Sequence, residues 1–418
     1  MTTKAQETAS RGISRAWLTQ YGLAYLGSCI GWSAPSQLLL GKQLIELTPG
    51  NKETSLSLLM MAGGFVMVIT SLITGTLSDK TRSRLGRRMP WILGMGFAAA
   101  VLLTVMPWSA NYAVLFALWA LFQAANAFVT NLLLTIGPDV APRHKYGLIS
   151  GVLGAAYTLG VVVGTAIASA LPLSVAYAVT AAAAFALVAQ LAFGPGMRAI
   201  LGAEHSAGGD TTDFGAVSAR EVIRSAGLLH SRYRNYWWVF ASRFVVHLGN
   251  FAALFYLLYY LRDYIQVADP DTAVLILTVV YALATVATTV LGGQLSDRLD
   301  RRKIFVFTSS FGVAAACVLM AFAHTFPVTI VAAALLGAAW GVFTAVDQAM
   351  INESLPSDVH RARDVSVMTL TVGIANMVSG GAAAVALSAL GGYQGLYIAC
   401  AVLCGFGALL VLPVKSSK

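Results

Sequence analysis

Three ionisable side chains lie inside long apolar runs of this sequence: Arg243, His247 and Asp347. An ionisable group in hydrocarbon is costly, and by default it marks a transport pathway or an ion pair. Arg243, His247 and Asn250 are spaced by four and three residues, so they share one face of a helix. These residue types predict an acid–base site in which the arginine binds an ionised aspartate and releases a protonated one.

Stripes of polar and aromatic residues with the same spacing occur in three other apolar runs. Their members are Trp340, Thr344 and Asp347; Gln123, Asn126 and Thr130; and Tyr21, Tyr25, Ser28 and Trp32. Each stripe also has a purely structural interpretation. Amide side chains in membrane helices often only bond a neighbouring helix, and the aromatic stripe could be packing or an interface belt.

The same alternatives apply to the ionisable residues. His247 could simply bond a backbone carbonyl, and Arg243 with Asp347 could form a structural ion pair. Arg243 is placed roughly 10 Å inside its predicted span, at 1.5 Å per residue, which is too deep for its head group to reach water easily. This depth favours a functional role.

The composition of the chain predicts a membrane protein. Hydrophobic residues make up 57 % of the 418 residues and charged residues only 11 %, against roughly 25 % charge in soluble domains. The net charge of +9 is spread over short loops rather than one face, so we expect no nucleic-acid partner. The four cysteines lie in apolar runs without metal-site spacing, and no ATP-binding loop is present. No cofactor or metal is expected.

Twelve apolar spans are predicted, each near the ~20 residues that a bilayer core requires. They divide the chain into a cytoplasmic tail (1–16), a six-helix bundle (17–194), a cytoplasmic linker (195–235), a second six-helix bundle (236–413) and a tail (414–418). The predicted spans are 17–40, 55–77, 91–108, 112–136, 147–171, 173–194, 236–261, 272–294, 304–323, 328–351, 365–389 and 393–413.

The distribution of basic residues predicts the orientation. All but four of the 27 Lys and Arg residues fall on one side of this topology. The exceptions are Lys42, Lys52 and Arg262 on the other side and Arg243 within a span. Because cytoplasmic loops carry the excess of basic residues, both termini are predicted to be cytoplasmic, in a multi-pass protein of the cell membrane.

A repeated loop joins the two halves of the sequence. Gly-x-Leu-Ser-Asp occurs at Gly75–Asp79 and again at Gly293–Asp297, about half a chain length apart. The arginines in these loops could serve orientation alone, but acidic residues contribute little to it. We therefore predict a conformational latch from the charged and glycine residues of both copies and of a second matching loop pair. Its members are Gly75, Asp79, Arg87, Arg88, Asp139, Gly293, Asp297, Arg298 and Glu353.

The twelve spans, the repeat and the G-x-L-S-D…G-R-R loop resemble the major facilitator superfamily along nearly the whole chain. The extended loop SDKTRSRLGRRMPW and the stretch VDQAMINESLP are similar to those of sucrose/proton and glycoside–cation symporters. Met89 and Asp300 depart from that pattern, and the second span lacks the aspartates of sodium-coupled relatives. The resemblance implies an all-α 6+6 fold whose spans one, four, seven and ten line a central cavity. The cavity residues would be Tyr25, Gln123, Asn126, Arg243, His247, Asn250, Thr344 and Asp347.

The expected function is secondary active transport by alternating access, as proton-coupled symport of a sugar or glycoside. Asp347, His247 and Arg243 would couple the proton, and the partners would be the bilayer, a small solute and a proton. We expect a monomer. Proton-driven efflux is the alternative: Gly151, Gly160 and Gly164 match part of an antiporter motif, but Thr165 replaces its proline. A non-transporting receptor or scaffold is a third possibility. The apolar spans contain no catalytic dyad, so we do not expect an enzyme.

Overall fold

The computed structural model describes residues 14–141, 145–206, 234–299, 301–354 and 361–414. These residues form helices and turns, with no β-strand among them. Twelve helical spans, α1–α12, follow one another along the described chain. They are α1 (Arg15–Ala34, Pro35–Leu39 and Leu40–Leu47), α2 (Lys52–Lys80), α3 (Met89–Val105), α4 (Tyr112–Val140), α5 (Tyr146–Ala170), α6 (Leu173–Ala189), α7 (Arg234–Phe255, Leu257–Tyr259 and Tyr260–Tyr264), α8 (Pro270–Leu299), α9 (Arg302–Ala321), α10 (Phe326–Ser354), α11 (Arg361–Ala389) and α12 (Tyr393–Leu409).

The predicted all-α fold with twelve spans is confirmed. Ten of the described helices are long and apolar enough to cross a membrane. The remaining two are α1, which contains a π-helical segment, and α12, an apolar helix of 17 residues. A further helix, Pro195–Ser206, follows α6 and docks on α1, where the backbone N–H of Gly196 donates to Gln20 Oε1 at 2.7 Å.

Local sequence signals set several helix boundaries. Ser14 caps α1 by accepting a hydrogen bond from the N–H of Trp17, and Asn111 caps α4 by accepting one from Val114. Such side-chain oxygens satisfy amide groups that the first helical turn leaves unpaired. Gly391 and Gly392, with φ of 83° and 80°, form the turn before α12, where a side chain would be strained.

Each bundle is built on its own helix contacts. In the first bundle α1 packs on α5 and α6, while α4 packs on α2 and α3. In the second bundle α10 packs on α8 and α9, and α12 packs on α7 and α9. The bundles meet along two seams, α2 against α11 and α5 against α8. This arrangement is consistent with the internal repeat, because α2 corresponds to α8 and α5 to α11.

Two faces of the molecule are named by the orientation that the sequence predicts. The outer face carries the turns between α1 and α2, between α7 and α8 and between α11 and α12. The cytoplasmic face carries the charged loop between α2 and α3. The π-helical segments Pro35–Leu39 of α1 and Tyr260–Tyr264 of α7 lie toward the outer face. Neither segment was predicted from the sequence.

Candidate functional site

The buried ion pair joins α7 to α10. A guanidinium nitrogen of Arg243 donates to a carboxylate oxygen of Asp347, and the two side chains are only 10 % and 8 % exposed. Arg243 lies roughly 13 Å from the start of α7, at 1.5 Å per residue, and Asp347 roughly 10 Å from the end of α10. Two residues that the sequence placed on separate stripes are therefore in direct contact.

His247 lies one turn beyond Arg243 and is 5 % exposed. Its Nδ1 is 2.9 Å from the carbonyl oxygen of Arg243. A carbonyl only accepts, so Nδ1 carries the hydrogen and Nε2 of the neutral ring is an acceptor. The ring centroid lies 5.0 Å from that of Trp340 and 5.6 Å from that of Phe343, which fixes its orientation.

Two buried polar atoms on the Arg243 face of α7 have no hydrogen-bond partner within the described part of the chain. They are Nε of Arg243 and Oδ1 of Asn250, whose side chain is 1 % exposed. The hydroxyl of Tyr281, on α8, lies beside Asn250. Unsatisfied buried polar atoms are rare in proteins. A donor and an acceptor left open near an ion pair are suited to a ligand rich in hydroxyl groups.

Thr344 is hydrogen-bonded within its own helix. Its hydroxyl donates to the carbonyl oxygens of Trp340 and Gly341, at 3.0 and 3.1 Å, within its own helix. Trp340, from the same stripe, instead contacts His247.

Two of the predicted first-bundle residues, Asn126 and Gln123, contact helices of their own bundle. Asn126 accepts a hydrogen bond from Ser28 at 3.3 Å, and Ser28 also bonds Thr130 at 2.6 Å, so this stripe joins α4 to α1. Ser28 and Asn126 border a cavity of about 20 Å³ between α1, α3, α4 and α6, room for about one water molecule.

Gln123 packs against α2. A Cβ built on Gly63 would lie 2.8 Å from Gln123 Nε2 and 2.8 Å from the indole nitrogen of Trp119. Tyr25 is half-buried on α1, near Tyr157 of α5. Arg243, His247 and Asp347 therefore form one cluster, whereas Asn126 and Gln123 contact helices of the first bundle. Tyr25 lies near Tyr157, which is itself near Tyr281 beside Asn250.

The predicted latch residues form two ion pairs at the cytoplasmic face. Arg88 binds Asp139 at the end of α4, with the arginine 10 % and the aspartate 31 % exposed. Arg87 lies 3.6 Å from Asp79, which is 54 % exposed. Both pairs connect parts of the first bundle. Gly75 is half-buried in α2.

The second copy of the loop is described only in part. Gly293 lies on α8, where an added Cβ would meet Ala345 of α10 at 3.8 Å, and Arg298 is exposed. The side chains of Asp297 and Glu353 lie outside the described residues.

Sequence reasoning missed a set of ion pairs at the outer face. Lys52 binds Asp263 and Lys42 binds Asp271, each at 2.6 Å and each across the two bundles. The available signal was that these two lysines lie on the side where lysine is scarce.

The sequence matches the Major Facilitator Superfamily over residues 21–269 and 239–418. The chain belongs to this superfamily. This membership, with the apolar helices, identifies a multi-pass membrane transporter rather than an enzyme, as the sequence predicted. No curated protein matches the chain.

Several solved transporter structures share the fold over nearly their whole length. A mutant of the nucleoside transporter NupG has a TM-score of 0.73 at 13 % identity, covering 96 % of this chain and 100 % of its own. The xylose transporter XylE from E. coli has a TM-score of 0.66 at 15 % identity, covering 94 % and 97 %. The human organic anion transporter MFSD10 (TETRAN) has a TM-score of 0.64 at 16 % identity, covering 95 % and 99 %.

Proposed function

We propose that this superfamily member is a proton-coupled symporter of a sugar or glycoside, located in the cell membrane with both termini cytoplasmic. Asp347 is the proton carrier and Arg243 its counter-charge. The observation that carries the proposal is the buried contact between these two side chains, which belong to different helices.

The chemistry of the pair follows from its burial. An ionised Asp347 is stabilised by the guanidinium, and a protonated Asp347 loses most of that attraction. Removing one charge of a buried pair leaves the other uncompensated, so Arg243 must then find another partner or a different exposure. Protonation is thereby linked to the packing of α7 against α10, and a solute that binds one packing better shifts the population toward it.

A neutral, hydroxylated solute suits the groups around the pair. Arg243 and Asp347 cancel in charge, and His247 offers Nε2 as an acceptor. Asn250 adds an open amide oxygen, and Trp340 adds an aromatic ring next to His247. Two of the similar structures are named for xylose and nucleoside transport, and both of those solutes contain a pentose.

Reconstituted transport tests the proton role. In proteoliposomes with an inward proton gradient, Asp347→Asn should abolish accumulation of the solute above its external concentration. Exchange of labelled for unlabelled solute should continue, because the neutral side chain imitates the protonated state. Glu46→Gln, at an exposed carboxylate near the outer face, is the matched control and should accumulate normally. Undiminished accumulation by Asp347→Asn would remove this residue as carrier.

The solute class is tested by ligand-dependent stabilisation of purified protein. A ligand at 100 times its dissociation constant stabilises the folded state by about 2.7 kcal/mol. Sugars and glycosides should raise the melting temperature, and Asn250→Ala should reduce the shift. Stabilisation by hydrophobic cations instead, with solute extrusion on proton entry, would favour the efflux alternative.

A further inference from the structure

The outer face carries two lysine clamps that span the two bundles. Lys42, on the last part of α1, binds Asp271 in the first turn of α8. Lys52, at the start of α2, binds Asp263 near the end of α7. The four side chains are between 16 % and 31 % exposed, so the ion pairs are partly accessible to water.

The second clamp is a larger cluster. The Lys52 ammonium also lies 5.1 Å from the ring centroid of Tyr259 and 3.9 Å from Glu53. The hydroxyl of Tyr393, at the start of α12, is 3.2 Å from both Glu53 and Asp263. One hydroxyl hydrogen cannot satisfy both carboxylates at once, so the lysine between them carries the compensating charge.

Neutral hydrogen bonds between the bundles continue inward from the clamps. The Tyr259 hydroxyl donates to the carbonyl oxygen of Gly41 at 3.1 Å. Tyr256 donates to the carbonyl oxygen of Glu53 at 3.0 Å and its hydroxyl also contacts Ser57. Charged clamps at the surface with tyrosine bonds beneath them close the bundles on this side.

We propose that Lys42–Asp271 and the cluster of Lys52, Glu53, Asp263 and Tyr393 form an ionic gate that shuts the outer entrance of the transporter. This proposal rests on the proposed function in one respect: the two bundles must separate at the outer face during transport. It does not depend on the identity of the solute or of the coupling ion. Partly exposed ion pairs are individually weak and are screened by salt, so this contact can break in every cycle. A buried apolar seam would not release as readily.

Reversible cross-linking tests whether the clamp must open. In a background whose four cysteines are replaced by alanine, Lys52→Cys/Asp263→Cys would be joined by a reducible bifunctional thiol reagent that spans the lost side chains. Solute exchange should fall at least tenfold and recover on reduction. Treatment with the reagent should leave the exchange rate of each single variant at that variant's own untreated value. Full exchange in fully cross-linked protein, or no cross-linking, would overturn the gate.

A conformational readout separates the gate from the coupling chemistry. Met377 of α11 lies beneath the clamps, against Gly64 of α2. The rate at which an impermeant thiol reagent labels Met377→Cys therefore measures how often this seam opens. Lys42→Met/Lys52→Met should raise its labelling rate from the outer side several-fold, and high salt should do the same for the native clamps. Glu46→Gln should not.

Charge exchange completes the test. Lys52→Asp/Asp263→Lys should return the labelling of Met377→Cys toward its original rate, whereas Lys52→Asp alone should raise it further. If the labelling rate of Met377→Cys is the same in all of these charge variants, the gate is rejected, whatever the solute or coupling ion. Loss of proton coupling with charge-sensitive labelling would reject only the proposed function.

Discussion

Gly380 of α11 lies directly against the backbone of Ser57 on α2, so that a Cβ at position 380 would be 2.9 Å from the Ser57 carbonyl oxygen. Gly64 makes the reciprocal contact, where an added Cβ would lie 2.7 Å from the Cα of Met377. Two glycines on opposite helices therefore allow the backbones of the two bundles to touch. Backbone atoms cannot move aside as a flexible side chain can.

A side chain at this contact should hold the bundles apart. We expect Gly64→Val to shift the population toward an outward-open state with slower solute transport. Val68 of α2 lies against Gly373 of α11, so Val68→Cys should be labelled faster from the outer side. Gly405→Val is the matched control, because a Cβ at Gly405 meets nothing within 4 Å. Equal labelling in both variants would show that the seam does not close in the working protein.

The buried ion pair predicts a non-additive effect on stability. Arg243→Met and Asp347→Leu should each lower the melting temperature of the detergent-solubilised protein, since breaking a buried pair costs about 3–5 kcal/mol. The double variant should recover at least half of that loss, because neither charge remains. A double variant that loses the sum of the single effects would show that the two side chains do not pair in solution.

The assigned tautomer of His247 predicts different effects of two substitutions on solute affinity. Asn at this position keeps a donor near Nδ1, whereas Gln places its amide near Nε2. If Nε2 accepts a hydrogen bond from the solute, His247→Gln should retain more affinity than His247→Asn, by an expected fivefold or more. Titration calorimetry with the solute measures both. The reverse order would mean that only the Nδ1 contact with the Arg243 carbonyl matters.

Helical spacing predicted that Arg243, His247 and Asn250 share one face of α7, and His247 does contact the Arg243 carbonyl. The spacing could not tell which neighbour that face meets. Gln123 belongs to a stripe with the same kind of spacing, but it packs against Gly63 of α2. The absence of a side chain at Gly63 allows α2 and α4 to approach closely there, and the spacing within α4 does not reveal this. The twelve spans were predictable from hydropathy, since the bilayer fixes their length.

Contacts between the bundles were not predictable from one sequence. Lys52 and Asp263 are separated by 211 residues, and no local period relates them. The π-helical segment of α1 begins at Pro35, a residue that interrupts α-helical hydrogen bonding, whereas the segment of α7 contains neither proline nor glycine to mark it. The two outer lysines were visible as exceptions, but their partners were not.

The two cytoplasmic pairs should contribute unequally. Asp139→Asn should lower the melting temperature more than Asp79→Asn, because Arg88 beside Asp139 is 10 % exposed whereas Asp79 is 54 % exposed. Surface pairs contribute little, with a median of about 0–1 kcal/mol. Both variants should insert normally, as judged by fluorescence-detected gel filtration. A larger loss for Asp79→Asn would assign the main latch to the other pair.

The predicted orientation can be measured in whole cells. In the alanine background, Gly50→Cys, on the turn between α1 and α2, should react with an impermeant maleimide. Arg84→Cys, in the exposed loop between α2 and α3, should react only after the membrane is permeabilised. The reverse pattern would place both termini outside.

The lysine clamps also have a consequence for biogenesis. Lys52 is made 211 residues before Asp263, so at about 5–20 residues per second the ribosome needs roughly 10–40 s to deliver its partner. During that interval Lys42 and Lys52 lack their second-bundle partners, Lys52 has only Glu53 nearby, and anionic lipid phosphates can shield both lysines. We expect the pairing of Lys52→Cys with Asp263→Cys to lag behind synthesis in a pulse–chase experiment. Formation of the lysine pairs therefore waits for the synthesis of α7 and α8, and the Tyr393 contacts wait for that of α12.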